Sequence, residues 1–368
     1  MTATYDVIVV GGGPVGAACA RELAQAGRRV LVLEPGGALG QGWRAAAGML
    51  APQIEAEDED PLLELGLAGR ELYSQLVEPL REATGIDIGL WREGIAHVAA
   101  NEAEAAALRS RCAWQRQHSH LADWLDADEV RARWPWLGPT AGALWAAREG
   151  ALEPGKLVDA LLIDAERHGA VLARDTVVAI DQSNGRAVGV IGQGSRYAAG
   201  DIVLAAGAWS GTIEGPPRPV AVAPVRGQMA ALPWPEGARR AIIYGHDCYI
   251  VARGEEAIVG STMEYVGFRP EVTPEGLAQL FSGVTALCPL LTRASVRRTW
   301  AGLRPVTPDG LPIIGAEPRL GGLWYATGHG RNGILLAGIT GVILRQLITG
   351  EPTVEDIEAF APSRFWSW

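Results

Sequence analysis

The clearest hydrophobic pattern in the chain lies near its beginning. The run YDVIVV at residues 5–10 is short and rich in β-branched residues, which is typical of a strand buried on both faces. Apolar residues then recur at helical spacing over residues 15–26, and Gly27 is placed to end that helix. A second buried strand is predicted at residues 28–34. The pattern therefore predicts a β-α-β unit of about 30 residues.

Helical and strand-like patterns alternate through the rest of the chain. One or two helices are predicted at residues 60–85. Others are predicted at residues 102–117, within 126–138, within 153–169 and from about Asn332 onward. Strand-like segments are 88–100, 170–182, 187–192, 201–210, 249–254 and 257–264. Because β-α-β signals occur at both ends of the chain, we expect two domains that are interleaved in sequence.

Composition and charge narrow the class of protein. The chain has 368 residues, of which 48% are hydrophobic and 20% charged, as in soluble globular proteins of about two domains. A formal net charge of −10 would repel phosphate backbones, so we expect no nucleic-acid partner. No apolar stretch reaches the ~20 residues of a membrane span, and the first residues lack a secretory pattern. We therefore expect a cytoplasmic protein that does not interact with a membrane and binds no metal. The cysteines Cys19, Cys112, Cys248 and Cys288 are scattered, which agrees with this expectation.

A glycine motif between the first strand and the first helix indicates a dinucleotide site. Gly11, Gly13 and Gly16 form G-x-G-x-x-G, and Glu34 follows at the end of the second strand. The glycines allow a tight turn, close approach of a pyrophosphate and close helix packing, while the helix N-terminus faces the phosphates. A glutamate can accept both ribose hydroxyls and would repel a 2′-phosphate. A turn without a ligand is the alternative.

Two later segments favour FAD over NAD. The stretch AAGAWS at 205–210 brings small residues back to the cofactor after a strand. The glycine-rich loop ATGHGRNGI at 326–334 opens a helix, so its amides can face the flavin pyrimidine. A helix N-terminus there would stabilise the negative charge of a reduced flavin.

An arginine in an apolar, turn-rich stretch raises a separate question. Arg304 stands in the middle of WAGLRPVTPDGLPIIG, residues 300–315. It needs an anionic partner or a path to solvent. From the residues alone, a structural ion pair with Asp309 or Glu317 stays open beside the binding of an anionic ligand.

A resemblance to a known family rests on eight stretches in a fixed order. They are GGGPVG, RAAAGMLAP, GALEPGKLV, APVRGQM, YIVARG, VGSTMEYVGF, GLRPVTPDGLPIIG and ATGHGRNGILLA. Together they resemble the glycine oxidase branch of the D-amino acid oxidase-like FAD oxidoreductases over nearly the whole chain. The resemblance implies an α/β protein in which a Rossmann-like FAD-binding domain of the GR2 type is interleaved with an α+β substrate domain on a mixed or antiparallel sheet.

That resemblance also implies a division of the chain. The discontinuous FAD-binding domain is expected at residues 1–85, 146–222 and 301–368. The substrate-binding domain is expected at residues 86–145 and 223–300.

Site residues follow from the resemblance by motif. Arg304 matches the arginine that grips a substrate carboxylate, and Tyr249 matches a tyrosine that binds the same group. Met49 and Met263 match residues that line a small pocket near the flavin, and Arg331 matches a position near the flavin and the pocket mouth. Simpler alternatives stay open: strand packing for Tyr249, core filling for the two methionines, and a helix-surface position for Arg331.

The cofactor is expected to be FAD, bound without a covalent link. No cysteine lies near Thr307, and WRAAAG at 43–48 lacks the histidine that some relatives use. The residues expected to hold FAD are Gly11, Gly13, Pro14, Val15, Gly16, Glu34, Arg44, Ala46, Ala47, Gly48, Met49, Val178, Ala206, Gly207, Trp209, Gly330, Arg331, Asn332, Gly333 and Ile334.

The activity implied is an FAD-dependent amine oxidase of the glycine oxidase type. Glycine or a small amino acid would pass hydride to flavin N5, giving an imine, then a 2-oxo acid and ammonia, with O2 as acceptor and H2O2 as product. Positioning, and not a catalytic base, would supply most of the rate. The family also implies a link to thiamine thiazole synthesis and a homo-oligomer, a tetramer in the family.

Other functions stay open at this stage. The nearest is an oxidase of an N-substituted glycine such as sarcosine or an N-carboxymethyl amine. A quinone-linked D-amino acid dehydrogenase would want an apolar surface, for which FWSW at residues 365–368 is the one hint. A nucleic-acid modification domain conflicts with the acidic charge, and a non-catalytic flavin module conflicts with the presence of Arg304 and Tyr249.

Overall fold

The protein is described from a computed structural model that covers residues 5–37 and 40–365. The predicted apolar tail falls mostly outside this part, because residues 366–368 are not described. The α-helices are α1 Pro14–Gln25, α2 Gly42–Ala45, α3 Pro52–Glu55, α4 Pro61–Thr84, α5 Glu102–Gln117, α6 Ala127–Arg133, α7 Pro154–Arg167, α8 Pro274–Leu287 and α9 Ala337–Thr349. The strands are β1 Tyr5–Val10, β2 Val30–Leu33, β3 Met49–Leu50, β4 Ile95–Ala99, β5 Asp123–Leu125, β6 Gly142–Ala146, β7 Gly150–Ala151, β8 Val171–Ala173, β9 Val177–Ser183, β10 Arg186–Gly192, β11 Arg196–Leu204, β12 Ala223–Pro233, β13 Ile242–Gly245, β14 Cys248–Arg253, β15 Glu256–Gly260, β16 Arg298–Val306, β17 Ile313–Ala316 and β18 Leu323–Thr327.

The first sheet has the order β17-β18-β11-β1-β2-β8; β10 also pairs with β11, and β9 pairs with β10. Its central strands β18, β11, β1, β2 and β8 are parallel. Strand β1 is apolar from Val7 to Val10 because both of its faces are covered there. Val7 and Val9 pack in the cluster that contains α1, α7 and α9, whereas Ile8 and Val10 pack towards β9 and β10.

The second sheet has the order β16-β12-β15-β14-β13-β4-β6-β5 and is antiparallel except where β13 runs parallel to β4. Alternate residues of its strands face opposite sides. On β14, Ile250 packs towards α8 and α6, and Val251 packs towards α5 and α3. The mixed α/β class expected from the sequence is confirmed.

The two sheets take their strands from alternating parts of the chain. Strand β16 belongs to the second sheet, since it pairs with β12 along its length. Residues 301–306, which the sequence-based division gave to the first domain, therefore pair with the second sheet. We propose the same domain division with its last boundary placed after Val306.

Several local predictions can be compared with the structure. Helix α5 spans the predicted residues 102–117, and α6 begins after Asp126, whose side chain accepts from the backbone N–H groups of Asp128 and Glu129. The prediction that the last helix starts near Asn332 was wrong by five residues, because residues 331–336 form turns before α9. Helix α8 was not predicted, although Thr273 caps it.

Within residues 5–37 and 40–365, none of the helices combines the length and apolar character that a bilayer span requires. The four cysteines are buried and free.

Candidate active site

A cavity of about 740 Å³ lies between the two sheets. The carboxyl ends of β1 and β2 contribute Val10 and Leu33 to its wall, and the segment after β11 contributes Ala205. Parallel α/β sheets commonly bind ligands at this end of their strands. The second sheet contributes Arg304 and Tyr249 to the same cavity.

The glycine turn has the shape that the motif requires. Gly11 has φ +105°, and a Cβ there would lie 2.5 Å from the Ala205 carbonyl oxygen. A side chain on Gly16 would overlap the Gly11 carbonyl oxygen. No side chain caps α1 at Gly13, so the first N–H groups of that helix are available to a phosphate in the cavity.

Glu34 is held at the end of β2 by two donors. The Gly12 N–H donates to its Oε2 at 2.8 Å, and Gln41 Nε2 donates to its Oε1 at 2.5 Å. Arg44 in turn holds Gln41, because its Nε donates to Gln41 Oε1 at 2.6 Å. Its guanidinium stacks on Trp43, 4.3 Å from the ring centroid. The sequence did not point to Gln41 or Trp43, both of which line the cavity.

Most of the residues expected at the cofactor line this one cavity. They are Gly11, Gly13, Pro14, Val15, Glu34, Ala46, Ala47, Gly48, Met49, Ala206, Gly207, Trp209, Gly330, Arg331, Asn332, Gly333 and Ile334. Gly16 and Arg44 are not in the lining. Val178 is not either: on β9 it is 39% exposed, and its buried neighbour Val177 faces the cavity instead. Strand alternation explains the one-residue difference.

Hydrogen bonds hold the loop after β18 in place. The Gly330 N–H donates to the Pro305 carbonyl oxygen at 2.8 Å. His329 is 3% exposed, its Nε2 is 3.0 Å from Thr340 Oγ1, and burial lowers its pKa to about 3. The imidazole is therefore neutral near pH 7. Its contact holds the loop 328–334 against α9.

Arg304 carries a charge that no carboxylate balances in the described part of the chain. Its Nη2 donates to Ser261 Oγ at 2.6 Å and its Nη1 to the Thr262 carbonyl oxygen at 3.2 Å, both neutral acceptors. The two acids considered as partners are engaged elsewhere, as Asp309 with Arg364 and Glu317 with Tyr325. Arg304 thus presents a cation to the cavity.

Tyr249 lies beside Arg304. Its hydroxyl is near Gly260, where a Cβ would lie 2.5 Å from it, and donates to Met229 Sδ at 3.2 Å. Burial raises the pKa of Tyr249, although the Arg304 cation opposes the rise. The phenol therefore stays protonated near neutral pH and can donate a hydrogen bond.

A polar cluster of Glu55, Tyr244 and Arg331 lines another part of the cavity. Glu55, at the end of α3, accepts from the Tyr244 hydroxyl at 2.9 Å and forms an ion pair with Arg331. That carboxylate raises the pKa of Arg331. Met49 and Met263 add apolar surface, and Met263 is 55% exposed. Sequence reasoning missed Glu55, because only the fold brings residue 55 against residue 331.

The arrangement suits a small carboxylate beside an FAD. The turn at Gly11, the uncapped N-terminus of α1 and Glu34 fit a nucleotide with free ribose hydroxyls. The paired Arg304 and Tyr249 fit a carboxylate through a guanidinium fork and a phenol. Among the residues that the structure covers, no group of three or more His, Cys, Asp or Glu side chains could hold a metal ion.

The chain is similar to known proteins along its whole length. The chain is 35% identical to a glycine oxidase of Geobacillus kaustophilus, over 99% of this chain and 98% of that protein. It is also 35% identical to the bifunctional protein ThiO/ThiG of Synechocystis sp., over 99% of this chain but 55% of that protein. The crystal structure of glycine oxidase from Geobacillus kaustophilus matches all of both chains with a TM-score of 0.94 and 34% identity.

The model of one protein family, described as FAD dependent oxidoreductase, matches residues 6–347. This chain therefore belongs to the DAO family of FAD-dependent oxidoreductases, and FAD is its cofactor.

Proposed function

We propose that this protein is an FAD-dependent oxidase of glycine or another small amino acid, with O2 as the electron acceptor. The observation that carries the proposal is Arg304, a cation at the cavity wall that is held by Ser261 and Thr262 and has no carboxylate partner among the described residues. The full-length similarity to proteins named glycine oxidase supports the same activity.

Arg304 and Tyr249 would divide the work of binding. The guanidinium would hold the substrate carboxylate by two parallel hydrogen bonds, and the Tyr249 hydroxyl would turn from Met229 Sδ to donate a further one. Fixing the carboxylate at two points sets the direction of the α-carbon, so that positioning lowers the barrier. When FAD is bound, it supplies the two-electron acceptor for the amine, and O2 takes up those electrons to give H2O2.

The other predicted residues would shape the pocket around the amine. Met49 and Met263 would limit the size of the substrate side chain. Arg331 would close the mouth through its ion pair with Glu55. The neutral imine product would then hydrolyse to a 2-oxo acid and ammonia. We also propose that FAD is held without a covalent link by the residues that line the cavity around Gly11, Glu34 and Gly330.

A second candidate substrate is an N-substituted glycine. The cavity continues past Tyr244 to His97 and Arg111. Arg111 places a cation in that part of the lining. An amine substituent that ends in a carboxylate would pair with it, which favours an N-carboxymethyl amine over a purely apolar N-alkyl glycine.

Anaerobic mixing of the holoenzyme with single amines tests both candidates. Glycine, sarcosine, D-alanine, N-ethylglycine and iminodiacetate would each be added, and bleaching of the flavin absorption would be followed. We expect glycine to bleach it under the main proposal. Fast bleaching by iminodiacetate with slow bleaching by glycine would select the second candidate, and no bleaching by any of them would overturn both.

The pathway, the cellular location and the oligomeric state are also proposals. Similarity to proteins named ThiO/ThiG supports a role for the imine product in thiamine thiazole synthesis. Four free, buried cysteines support a cytoplasmic location. A homo-oligomer, a tetramer by resemblance, stays a prediction that light scattering would test.

A further inference from the structure

Two stretches that carry the family resemblance contain charged and amide side chains, Arg226, Gln228 and Glu264, that have no role in the site described above. The stretches are APVRGQM at residues 223–229 and VGSTMEYVGF at residues 259–268. The structure joins them at one point. The Arg226 N–H donates to the Glu264 carbonyl oxygen at 2.9 Å, and the Glu264 N–H donates to the Arg226 carbonyl oxygen at 3.0 Å.

The Glu264 carboxylate is the centre of a polar network. Its Oε2 accepts from the guanidinium of Arg226, with the Nε contact at 3.0 Å. Its Oε1 accepts from Gln228 Nε2 at 2.7 Å and from the Thr262 hydroxyl at 2.5 Å. Arg226, Gln228 and Thr262 are 6%, 0% and 3% exposed, so these bonds are shielded from water. Burial alone would raise the pKa of Glu264, but the bonds from Thr262, Arg226 and Gln228 outweigh it and lower that pKa.

This network ends at the acceptors of Arg304. Thr262 bonds to Glu264 through its hydroxyl and accepts from Arg304 Nη1 through its carbonyl oxygen at 3.2 Å. The same hydroxyl accepts from the Gln228 N–H at 2.9 Å, which ties Thr262 to β12. The adjacent Ser261 accepts from Arg304 Nη2 at 2.6 Å. Glu264 itself does not line the cavity.

We propose that Glu264 is a positioning residue for substrate binding: it fixes the segment 261–262 so that Ser261 and Thr262 aim the guanidinium of Arg304 at the substrate carboxylate. An arginine side chain has many rotamers, and its fork binds a carboxylate bidentately only in one orientation. Two neutral acceptors on a fixed backbone select that orientation before the ligand arrives. The inference rests on the proposed function only in taking the ligand to be a carboxylate.

The test is the affinity of the oxidised holoenzyme for glycolate, an inert carboxylate, measured from the change in flavin absorption. In Glu264→Gln the fourfold acceptor loses its charge, and the amide places a donor against the donors of Arg226 or Gln228. We expect the dissociation constant for glycolate to rise at least tenfold, and KM for glycine to rise more than kcat falls.

Glu256→Gln is the matched control. Glu256 lies in the same sheet, accepts from Arg298 at 2.8 and 2.9 Å, and has 20% of its side chain exposed, against 21% for Glu264. It has no link to Arg304, so its glycolate affinity should match that of the wild type. An equal loss in both variants would mean a general effect on stability and would overturn the proposal.

A double-mutant cycle separates action through Arg304 from other effects. In an Arg304→Lys background, where the fork is gone, Glu264→Gln should change the glycolate affinity less than twofold. A full, additive loss would overturn the inference, as would a single Glu264→Gln variant that binds glycolate as well as the wild type.

Two milder variants decide the matter if Glu264→Gln does not fold. Thr262→Val removes the hydroxyl that reaches Glu264 but keeps the carbonyl oxygen, whereas Thr262→Ser keeps both. Weaker glycolate binding in Thr262→Val alone supports the proposal, and wild-type binding in both variants overturns it.

The wild type distinguishes this proposal from the proposed function. If it binds glycolate but no amine reduces its flavin, only the proposed function fails. If it binds no carboxylate, both proposals fail.

Discussion

The guanidinium of Arg304 lies directly over Gly227 on the neighbouring strand. A Cβ on Gly227 would overlap both Nη atoms of Arg304 and lie 2.5 Å from its Cζ. The two strands pair with Val225 opposite Arg304 and Gly227 opposite Gly302, so the arginine side chain crosses to the position of a residue with no side chain. Gly227 does not have a positive φ. The glycine is needed there for space and not for backbone conformation.

Replacing Gly227 with alanine should therefore displace Arg304 without unfolding the strand. The clash is with the far end of a flexible side chain, which can move away. We expect Gly227→Ala to retain FAD and to weaken carboxylate binding by about tenfold, or ~1.4 kcal/mol. The measurement is a titration of the oxidised enzyme with glycolate.

Gly155→Ala is the control for that substitution. Gly155 lies in the first turn of α7, and nothing lies within 4 Å of a Cβ built there. Its alanine variant should bind glycolate like the wild type. Wild-type affinity in Gly227→Ala as well would mean that Arg304 does not bind the carboxylate from its present position.

Removing the guanidinium itself should have a larger effect. Arg304→Ala is expected to lower kcat/KM for glycine by roughly 30- to 1000-fold, on the order of 2–4 kcal/mol, because two charge-assisted hydrogen bonds are lost. Arg298→Ala is the matched control on the same strand: Arg298 is exposed and pairs with Glu256. Steady-state kinetics checks both, and equal values for Arg304→Ala and the wild type would remove Arg304 from the site.

The features that could be predicted from the sequence are local ones. The turn at Gly11, the helix after it and Glu34 follow from about 30 contiguous residues, each with one physical requirement. The activity and the role of Arg304 came from family resemblance, since the residues alone left an ion pair with Asp309 or Glu317 open.

The site contacts that could not be predicted from the sequence join residues that are far apart in the chain. Gly227 serves Arg304, 77 positions away in the chain, and Glu55 contacts Arg331, 276 positions away. No periodicity marks such pairs. The difference at Val178 has another origin. A strand was correctly predicted there, but Val177 and not Val178 is the residue that faces inward. Helix α8 did leave a signal, a threonine followed by Pro274, that was not used.

Glu34 gives a prediction for the cofactor. Its carboxylate already accepts from the Gly12 N–H and from Gln41, which orients it towards the cavity. Glu34→Ala removes the acceptors proposed for the ribose hydroxyls, so the dissociation constant for FAD should rise by roughly 10- to 100-fold, or ~1.5–3 kcal/mol. Flavin fluorescence during titration of the apoprotein measures it. Glu34→Gln keeps one acceptor and should lose less; an alanine variant that binds FAD normally would refute the ribose role.

His329 gives a prediction about pH. Burial lowers its pKa to about 3 in the folded protein, against about 6.5 in an unfolded chain. Between these values the unfolded state binds one more proton, so the free energy of unfolding must fall as pH falls below about 6.5. From pH 7.5 to 5.5 this single group should lower the free energy of unfolding by about 1.4 kcal/mol.

The variant His329→Gln tests this prediction. Its side chain cannot titrate but can still bond to Thr340, so the variant should lack this part of the pH dependence. Urea unfolding of the holoenzyme at the two pH values measures the difference, with His118→Gln, at an exposed histidine, as the control. Identical pH slopes in the wild type and His329→Gln would show that the imidazole is not the neutral, buried contact that holds the loop 328–334 against α9.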